Sequence, residues 1–179
     1  MTALETERLL LRRRRPADDA ALAAMSADPD VMRHVGTGAT LDARATAELL
    51  QRIDREWDER GFGLWIVAAR ERPGRALGFC GLTVPGFLPA VLPAVEVGWR
   101  LERAAWGRGV ATEAARAAVA YGFGTCGLRE IFAIVAPGNR RSLRVCAKLG
   151  MTARPDRLHP VTRRRVRVLG VRAESYTAS

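Results

Sequence analysis

Residues 95–101 read Val-Glu-Val-Gly-Trp-Arg-Leu, and residues 106–112 read Trp-Gly-Arg-Gly-Val-Ala-Thr. The alternation in the first segment predicts a strand with one apolar face and one face that carries Glu96 and Arg100. The glycines of the second segment predict a tight turn into an alanine-rich helix over residues 110–123. Backbone N–H groups of such a turn converge with the positive end of the helix dipole, so the segment predicts a phosphate-binding site.

Periodicity elsewhere in the chain predicts further strands and helices. We expect strands near residues 4–15, 62–70, 76–84, 95–101, 131–135, 151–154 and 163–172, and helices over residues 17–27, 31–34, 43–60, 110–123 and 139–149. Arg72-Pro73-Gly74-Arg75 predicts a hairpin turn between the second and third strands. The order indicates a mixed α/β sheet with an antiparallel beginning, and a length of 179 residues fits one domain over residues 1–179.

The composition is that of an ordinary globular protein. Apolar residues make up 48% and charged residues 27%, and no apolar run reaches the ~18 residues that a membrane span needs. The three cysteines show neither metal-ligand nor disulfide spacing. Because the N-terminal residues carry no apolar export segment, we expect a cytoplasmic protein without a membrane or metal partner.

The formal net charge of +10 makes a polyanion the first partner to consider. The basic runs, residues 12–15 and 163–167, lie in or beside predicted strands, whose alternation sends their arginines to both faces. Aromatic residues amount to only 6%, which leaves few platforms for base stacking. We therefore expect no direct nucleic-acid binding and keep a basic nucleic-acid-binding module as the alternative from a different functional class.

The glycine turn matches neither of the common nucleotide-binding motifs. The dinucleotide fingerprint needs a third glycine, and Thr112 occupies that position. The P-loop pattern GxxxxGK[ST] occurs nowhere in the chain. The predicted phosphorylated ligand therefore belongs to another class.

Several segments together resemble the GNAT acetyltransferase superfamily. They are residues 95–101, residues 106–114, Asn139-Arg140-Arg141-Ser142 and Lys148-Leu149-Gly150-Met151. Residues 6–12, 28–32 and 61–65, with Trp106 in the loop, are similar to the RimJ/RimL branch, which acetylates ribosomal-protein N-termini. The resemblance implies a single-domain GNAT fold, in which helices flank a mixed, mostly antiparallel sheet with a V-shaped opening between its two central strands.

The resemblance also implies acetyl-CoA as the co-substrate and no metal. Loop N–H groups would hold its pyrophosphate, the pantetheine arm would run beside the strand, and the Asn139 amide would hydrogen-bond to that arm. The implied binding residues are Val97, Gly98, Trp99, Gly107, Arg108, Gly109, Val110, Ala111, Thr112 and Asn139. A plain helix N-cap is the alternative role for Asn139.

Catalysis, by the same resemblance, is direct attack of an amine on the acetyl thioester. Glu96 is the expected general base, with a buried ion pair to an arginine as its alternative role. The tyrosine that many members use as general acid falls at Cys146, so Ser142, one turn earlier, is the better candidate. A thiol pKa near ~8.5 also lets the thiolate leave without an acid. Glu113, in the first helical turn, fits a structural role.

The expected acceptor is a protein or peptide N-terminal α-amino group, such as that of a ribosomal protein. Its pKa of ~7.7–8.0 leaves much of it neutral near pH 7.5. The alternative acceptor is a small-molecule amine: an antibiotic, a polyamine or an amino acid. A polycation would need a local acidic cleft, and the acidic residues Asp54, Glu56, Asp58 and Glu59 better fit a solvated helix face. The oligomeric state is left open, with a homodimer among the outcomes.

The remaining candidates favour structural roles. His34 and His159 have no paired carboxylate motif, which favours surface or loop positions over catalysis. Trp57, Phe62 and Trp65 fit core packing, with the lining of the acceptor site as the alternative.

Overall fold

A computed structural model describes residues 3–176 of the chain. Its strands are β1 Leu4–Glu5, β2 Leu9–Arg12, β3 Leu64–Ala69, β4 Arg72–Thr83, β5 Glu96–Leu101, β6 Glu130–Val135, β7 Thr152–Leu158 and β8 Arg165–Arg172. Its α-helices are α1 Asp19–Ser26, α2 Pro29–Met32, α3 Ala43–Arg60, α4 Val110–Gly124 and α5 Arg140–Lys148. Short 3-10 turns occupy residues 16–18, 89–91, 103–105 and 173–175.

The strands form one eight-stranded sheet in the order β1-β2-β3-β4-β5-β6-β8-β7. Neighbouring strands are antiparallel except β5 and β6, which run parallel. These two share a single register pair, Glu96 with Phe132, beside which the Phe132 N–H donates to the Val95 C=O at 2.9 Å. Past this pair the sheet opens in a V toward the C-terminal end of β5. The expected α/β single domain with an open mixed sheet is thereby confirmed.

The two faces of β5 meet different helices. Helix α4 packs on β4 and β5, and its small residues Ala114, Ala115 and Ala118 are fully buried, which lets its backbone approach the strands closely. The face of β5 that carries Glu96 and Arg100 is turned toward α3, because charged residues of that helix act on both side chains. The acidic and basic groups of β5 thus lie on the side away from α4.

Trp65 is at the centre of the core. Its side chain is completely buried, and its ring meets those of Trp57 and Tyr121 edge-on, with centroids 4.8 and 5.1 Å away. The Trp57 indole N–H donates to the Leu64 C=O at 2.9 Å. Both tryptophans are core residues, while Phe62 is half-buried against the same core.

The first predicted strand, residues 4–15, is two strands joined by a tight turn. Thr6 makes the turn: its N–H donates to the Leu9 C=O at 2.9 Å, and its hydroxyl accepts from the Leu9 N–H at 3.0 Å. A threonine in a β-rich run reads as a strand residue in the sequence. Its side-chain hydrogen bonds to the backbone compete with the strand ladder, which explains the error.

Two irregular strands also differ from the prediction. The hairpin turn lies at residues 70–71 and not at residues 72–75, which form a bulge between the register pairs Ala68 with Ala76 and Ala69 with Arg72. Strand β7 continues to Leu158, past Pro155, through a second irregularity in its pairing with β8. In both places a proline occupies a bulge, where the missing N–H costs no ladder hydrogen bond.

The arginine run at residues 12–15 is paired with carboxylates. Arg12 and Asp18 form a bidentate pair with two N–O distances of 2.7 Å, and their side chains are only 5% and 1% exposed. The neighbouring pairs are Arg13–Asp58, Arg14–Asp19 and Arg14–Asp54. The run therefore ties β2 to α1 and α3, and half of the acidic set on α3 is used to neutralise it.

We expect Asp18→Ala to lower the free energy of unfolding by about 3–5 kcal/mol, because it leaves the Arg12 guanidinium buried without its partner. Asp58→Ala removes an ion pair whose carboxylate is 72% exposed, and we expect a loss of about 0–1 kcal/mol. Urea unfolding followed by tryptophan fluorescence measures both variants. Equal losses would contradict the importance given to the buried pair.

Candidate active site

The opening of the sheet leaves backbone groups of β5 without a strand partner. The Val95 C=O points toward β6, and alternate residues of a strand direct their N–H and C=O groups to the same side. The Val97 C=O and the backbone groups of Trp99 therefore face the opening, while the Val97 N–H belongs to the register pair with Phe132. At the next such position the Leu101 C=O accepts from the Trp106 indole N–H at 2.9 Å. The free groups of β5 can pair with an extended, amide-containing ligand.

A cavity of about 700 Å³ lies at this opening. It brings together most of the predicted cofactor-binding residues, which come from the end of β5, the glycine loop and the start of α5. The predicted residues in its lining are Trp99, Gly107, Gly109, Val110, Ala111, Thr112, Asn139 and Ser142. Val97, Gly98 and Arg108 are outside the lining, and Val97 has its side chain buried in the core.

Arg8 hydrogen-bonds to the backbone of the glycine loop. Its Nη1 donates to the Arg108 C=O at 3.1 Å. Because a trans peptide directs its N–H opposite to its C=O, this contact turns the Gly109 N–H away from Arg8 and toward the cavity. Gly109 has φ of 82°, and a Cβ there would lie 3.1 Å from the Arg8 Nη2. Glycine is therefore required at Gly109 by both backbone conformation and space.

Glu113 anchors Arg8 in turn. Its Oε1 accepts from the Thr6 hydroxyl at 2.6 Å and from the Arg8 N–H at 2.9 Å, and its Oε2 accepts from the Arg8 Nε at 2.8 Å. Burial opposes ionisation of Glu113, but these hydrogen bonds outweigh it and lower the pKa of the carboxyl. Glu113 thus has the structural role that its position in the first turn indicated.

Thr6 and Arg8 are site-building residues that the sequence analysis did not single out. Both lie in residues 6–12, a segment noted only for its resemblance to one branch of the superfamily. Their contact with Glu113 spans more than a hundred residues of chain. A local pattern carries no information about such a pairing.

Asn139 caps α5 and also faces the cavity. Its Oδ1 accepts from the Ser142 N–H at 3.1 Å, so the N-cap role is present. The Asn139 amide NH₂ is left available to a ligand, since the cavity lining includes Asn139. Ser142 lines the same cavity, whereas Cys146 is fully buried and burial raises the pKa of its thiol to about 12. Of the two, Ser142 is the one that a ligand can reach.

Glu96 lies at the closed end of the V, on the face of β5 turned toward α3. Its Oε1 accepts a hydrogen bond from the Thr83 hydroxyl at 3.2 Å. Burial, assisted by the negative charge of Glu56, raises the pKa of Glu96 to about 7 in spite of that hydrogen bond. Within residues 3–176 Glu96 forms no ion pair with an arginine. The buried ion pair that was its alternative role is therefore not observed there.

The rim of the cavity is strongly cationic. Asp30 is the acidic residue of the lining, and it is paired with Arg33 and Arg103. The guanidinium of Arg141 lies 4.6 Å from the centre of the Trp106 ring. Apart from Arg100, whose side chain leaves β5 on the face turned toward α3, the basic residues of the lining are Arg33, Arg103, Arg140, Arg141, Arg144 and Lys148. The donors, the free strand edge and this charge together fit a long ligand that carries several phosphates.

Between residues 3 and 176, no group of three or more His, Cys, Asp or Glu side chains is arranged to hold a metal ion. None of the helices in that part of the chain has the length and apolar character to cross a membrane. His159 has the expected loop role, since its Nδ1 accepts from backbone N–H groups of its own loop, whereas His34 lines the cavity.

A comparison with protein families agrees with this geometry. The profile described as an acetyltransferase (GNAT) domain matches residues 8–152. The chain belongs to the GNAT acetyltransferase family. It is therefore an acetyl-CoA-dependent acyltransferase, which confirms the predicted family and enzyme class. Since GNAT enzymes use acetyl-CoA, the long phosphorylated ligand is accounted for.

Known relatives and solved structures are similar over nearly the whole GNAT chain. The uncharacterized Bacillus subtilis protein YkkB is 39% identical over 153 residues, which cover 84% of this chain and 85% of YkkB. An acetyltransferase structure from Agrobacterium tumefaciens has a TM-score of 0.81 at 29% identity and covers 96% of this chain and 94% of its own. The structure of RimL, a ribosomal-protein α-N-acetyltransferase in complex with coenzyme A, has a TM-score of 0.76 and covers 96% of this chain and 98% of its own. At 13% identity the RimL likeness concerns the fold alone.

We expect Arg8→Met to weaken acetyl-CoA binding about tenfold, because the loop loses a hydrogen bond to a charged donor, which is worth roughly 1.5 kcal/mol. Arg70→Met is the matched control: Arg70 reaches the same β1–β2 turn through the Thr6 C=O and is 51% exposed, against 53% for Arg8, but it does not touch the glycine loop. Isothermal titration with acetyl-CoA measures both. Equal affinity in the two variants would contradict the role of Arg8.

Proposed function

We propose that this GNAT enzyme acetylates the N-terminal α-amino group of a protein or peptide. The observation that carries the proposal is the position of Glu96. Its carboxylate lies at the closed end of the opening, on the side of β5 away from α4, and it is not engaged by any arginine of residues 3–176. A carboxylate so placed can take a proton from an amine that approaches from the side of α3.

Each predicted binding residue has a place in this proposal. The backbone N–H groups of Gly107 and Gly109 through Thr112 hold the pyrophosphate. The Arg108 C=O accepts from Arg8, and this hydrogen bond orients the peptide that carries the Gly109 N–H. The backbone of Val97, Gly98 and Trp99 borders the pantetheine arm, and the Asn139 amide donates to it. Bound acetyl-CoA supplies the acetyl thioester.

The chain's own groups handle the proton and the developing charge. The amine nitrogen attacks the acetyl carbon while Glu96 takes an amine proton, directly or through a water. The carbon–sulfur bond then breaks and the coenzyme leaves as a thiolate, to which Ser142 can donate a hydrogen bond from the cavity wall. A base with a pKa of about 7 matches an amine of pKa ~7.7–8.0 closely enough for efficient proton transfer near neutral pH.

The charge around the cavity supports a peptide acceptor over a polycation. The basic residues of the rim outnumber Asp30, and that carboxylate is already paired. A polyamine or aminoglycoside carries several positive charges, each of which this positive potential repels, whereas a peptide N-terminus carries one. The likeness to RimL, whose description names a ribosomal-protein acceptor, points the same way. A cytoplasmic location belongs to the same proposal.

We expect Glu96→Gln to lower kcat at pH 7 by about 10²–10³-fold, within the usual range for loss of a general base. In the parent enzyme kcat should rise with pH through about 7, as Glu96 ionises. In the variant the rise should move upward, because only acceptors that are already neutral can then react. Initial rates between pH 5.5 and 9.5 test this, and an unmoved profile would remove Glu96 from proton transfer.

The acceptor class is tested by thiol release from acetyl-CoA. We expect turnover with peptides that begin with Ser, Ala or Thr, and none with the same peptides blocked at the N-terminus. Free amino acids, polyamines and aminoglycosides serve as competing classes. Turnover with these small amines but not with peptides would assign the enzyme to small-molecule acetylation and overturn the proposal.

A further inference from the structure

Arg100 is a partly buried arginine with one shielded nitrogen that has no partner. Its Nη1 is shielded from solvent and donates no hydrogen bond. The guanidinium carbon lies 5.1 Å from the centre of the Phe79 ring, which supports its flat face. Within residues 3–176, none of the ion pairs involves Arg100, whereas Arg33 and Arg103 of the same cavity are paired with Asp30.

This arrangement is costly without a ligand. Burial, together with the positive charge of Arg52 on α3, lowers the pKa of Arg100 to about 10, so the group stays charged at neutral pH. A buried charge without a partner destabilises a fold, and an apolar side chain of similar volume would pack there without that cost. A buried donor left without an acceptor therefore calls for a functional explanation.

Position limits what the missing anion can be. Arg100 lines the cavity, and it shares a strand face with Glu96, the side turned toward α3. The glycine loop that receives the cofactor's pyrophosphate leads into α4, on the other side of β5. Because its side chain leaves β5 on the face of Glu96, Arg100 can meet an anion that enters from the acceptor side, although it borders the same cavity as the glycine loop.

We infer that Arg100 binds a side-chain carboxylate of the acceptor peptide while Glu96 receives its N-terminal amine. This rests on the proposed function and adds a specificity: the acceptor carries an acidic residue close to its N-terminus.

Strand geometry sets the spacing between Glu96 and Arg100 along β5. Residues 96 and 100 lie four apart on one strand, which corresponds to about 13 Å at 3.3 Å per residue. The amine and the carboxylate of a single amino acid cannot bridge that distance. An extended peptide advances about 3.4 Å per residue, so the carboxylate belongs to an Asp or Glu within the second to fourth residues.

The test uses the purified full chain and matched peptides that begin with Ser or Ala. Each peptide carries Asp or Asn at the second, third or fourth residue and is otherwise identical. At the favoured position we expect the Asp peptide to have a KM about 10- to 100-fold lower than its Asn partner, the range for a hydrogen bond to a charged group. Arg100→Met should abolish that difference and leave the KM for acetyl-CoA within about twofold. Arg100→Lys, which keeps the charge, should restore part of it.

The other outcomes separate failure of this inference from failure of the proposed function. Equal KM values for Asp and Asn peptides in the parent enzyme would overturn this inference and leave N-terminal acetylation intact. A rise in the KM for acetyl-CoA in Arg100→Met, with no change for the peptides, would show that the anion is a phosphate of the cofactor. Absence of turnover with every peptide would overturn the proposed function and this inference with it. Unfolding curves confirm that Arg100→Met folds, which we expect because Met fills the space without a buried charge.

Discussion

The parting of β5 from β6 after Glu96 is the constraint on which the site depends. A closed sheet would satisfy the Val97 and Trp99 backbone with a neighbouring strand, and no ligand could then pair with it. The two strands share one register pair, and at the far end of β5 the Leu101 C=O accepts from the Trp106 indole N–H and not from a strand. The ligand cleft is thus the part of the sheet in which β5 has no neighbouring strand on one side.

The same opening explains why α4 must be fixed so firmly. Its N-terminus presents the loop N–H groups to the cleft, and a shift of the helix would misdirect them. Buried alanines set the distance of α4 from the sheet, while Glu113 fixes its first turn to Arg8 and Thr6. Two different interactions, close packing and a charged hydrogen-bond cluster, therefore place the same few backbone atoms.

Local sequence signals predicted the parts of the fold that local interactions decide. Helix α3 has its expected bounds because Asp42 caps its start and Gly61, with φ of 72°, ends it. The glycine loop could likewise be predicted from the sequence, because its turn needs glycine at positive φ. The predictions were wrong where a side chain bonds to a nearby backbone, as at Thr6, or where a bulge absorbs a proline. The Arg8–Glu113 cluster is a contact between distant segments, which no local pattern encodes.

Net charge is a poor guide to function in this chain, because its arginines have different tasks. Arg12 and Arg14 are tied to carboxylates and hold the fold together, so their charges are not available to a partner. Those on the cavity rim create a field that suits phosphates. Arg100 belongs to neither group, since it is shielded yet unpaired. It lies on the strand face of Glu96, four residues away, which puts the Cα atoms of the two residues about 13 Å apart. In the proposed function, β5 pairs with the cofactor along its edge and presents two charges on one face, and it is the element that aligns both reactants.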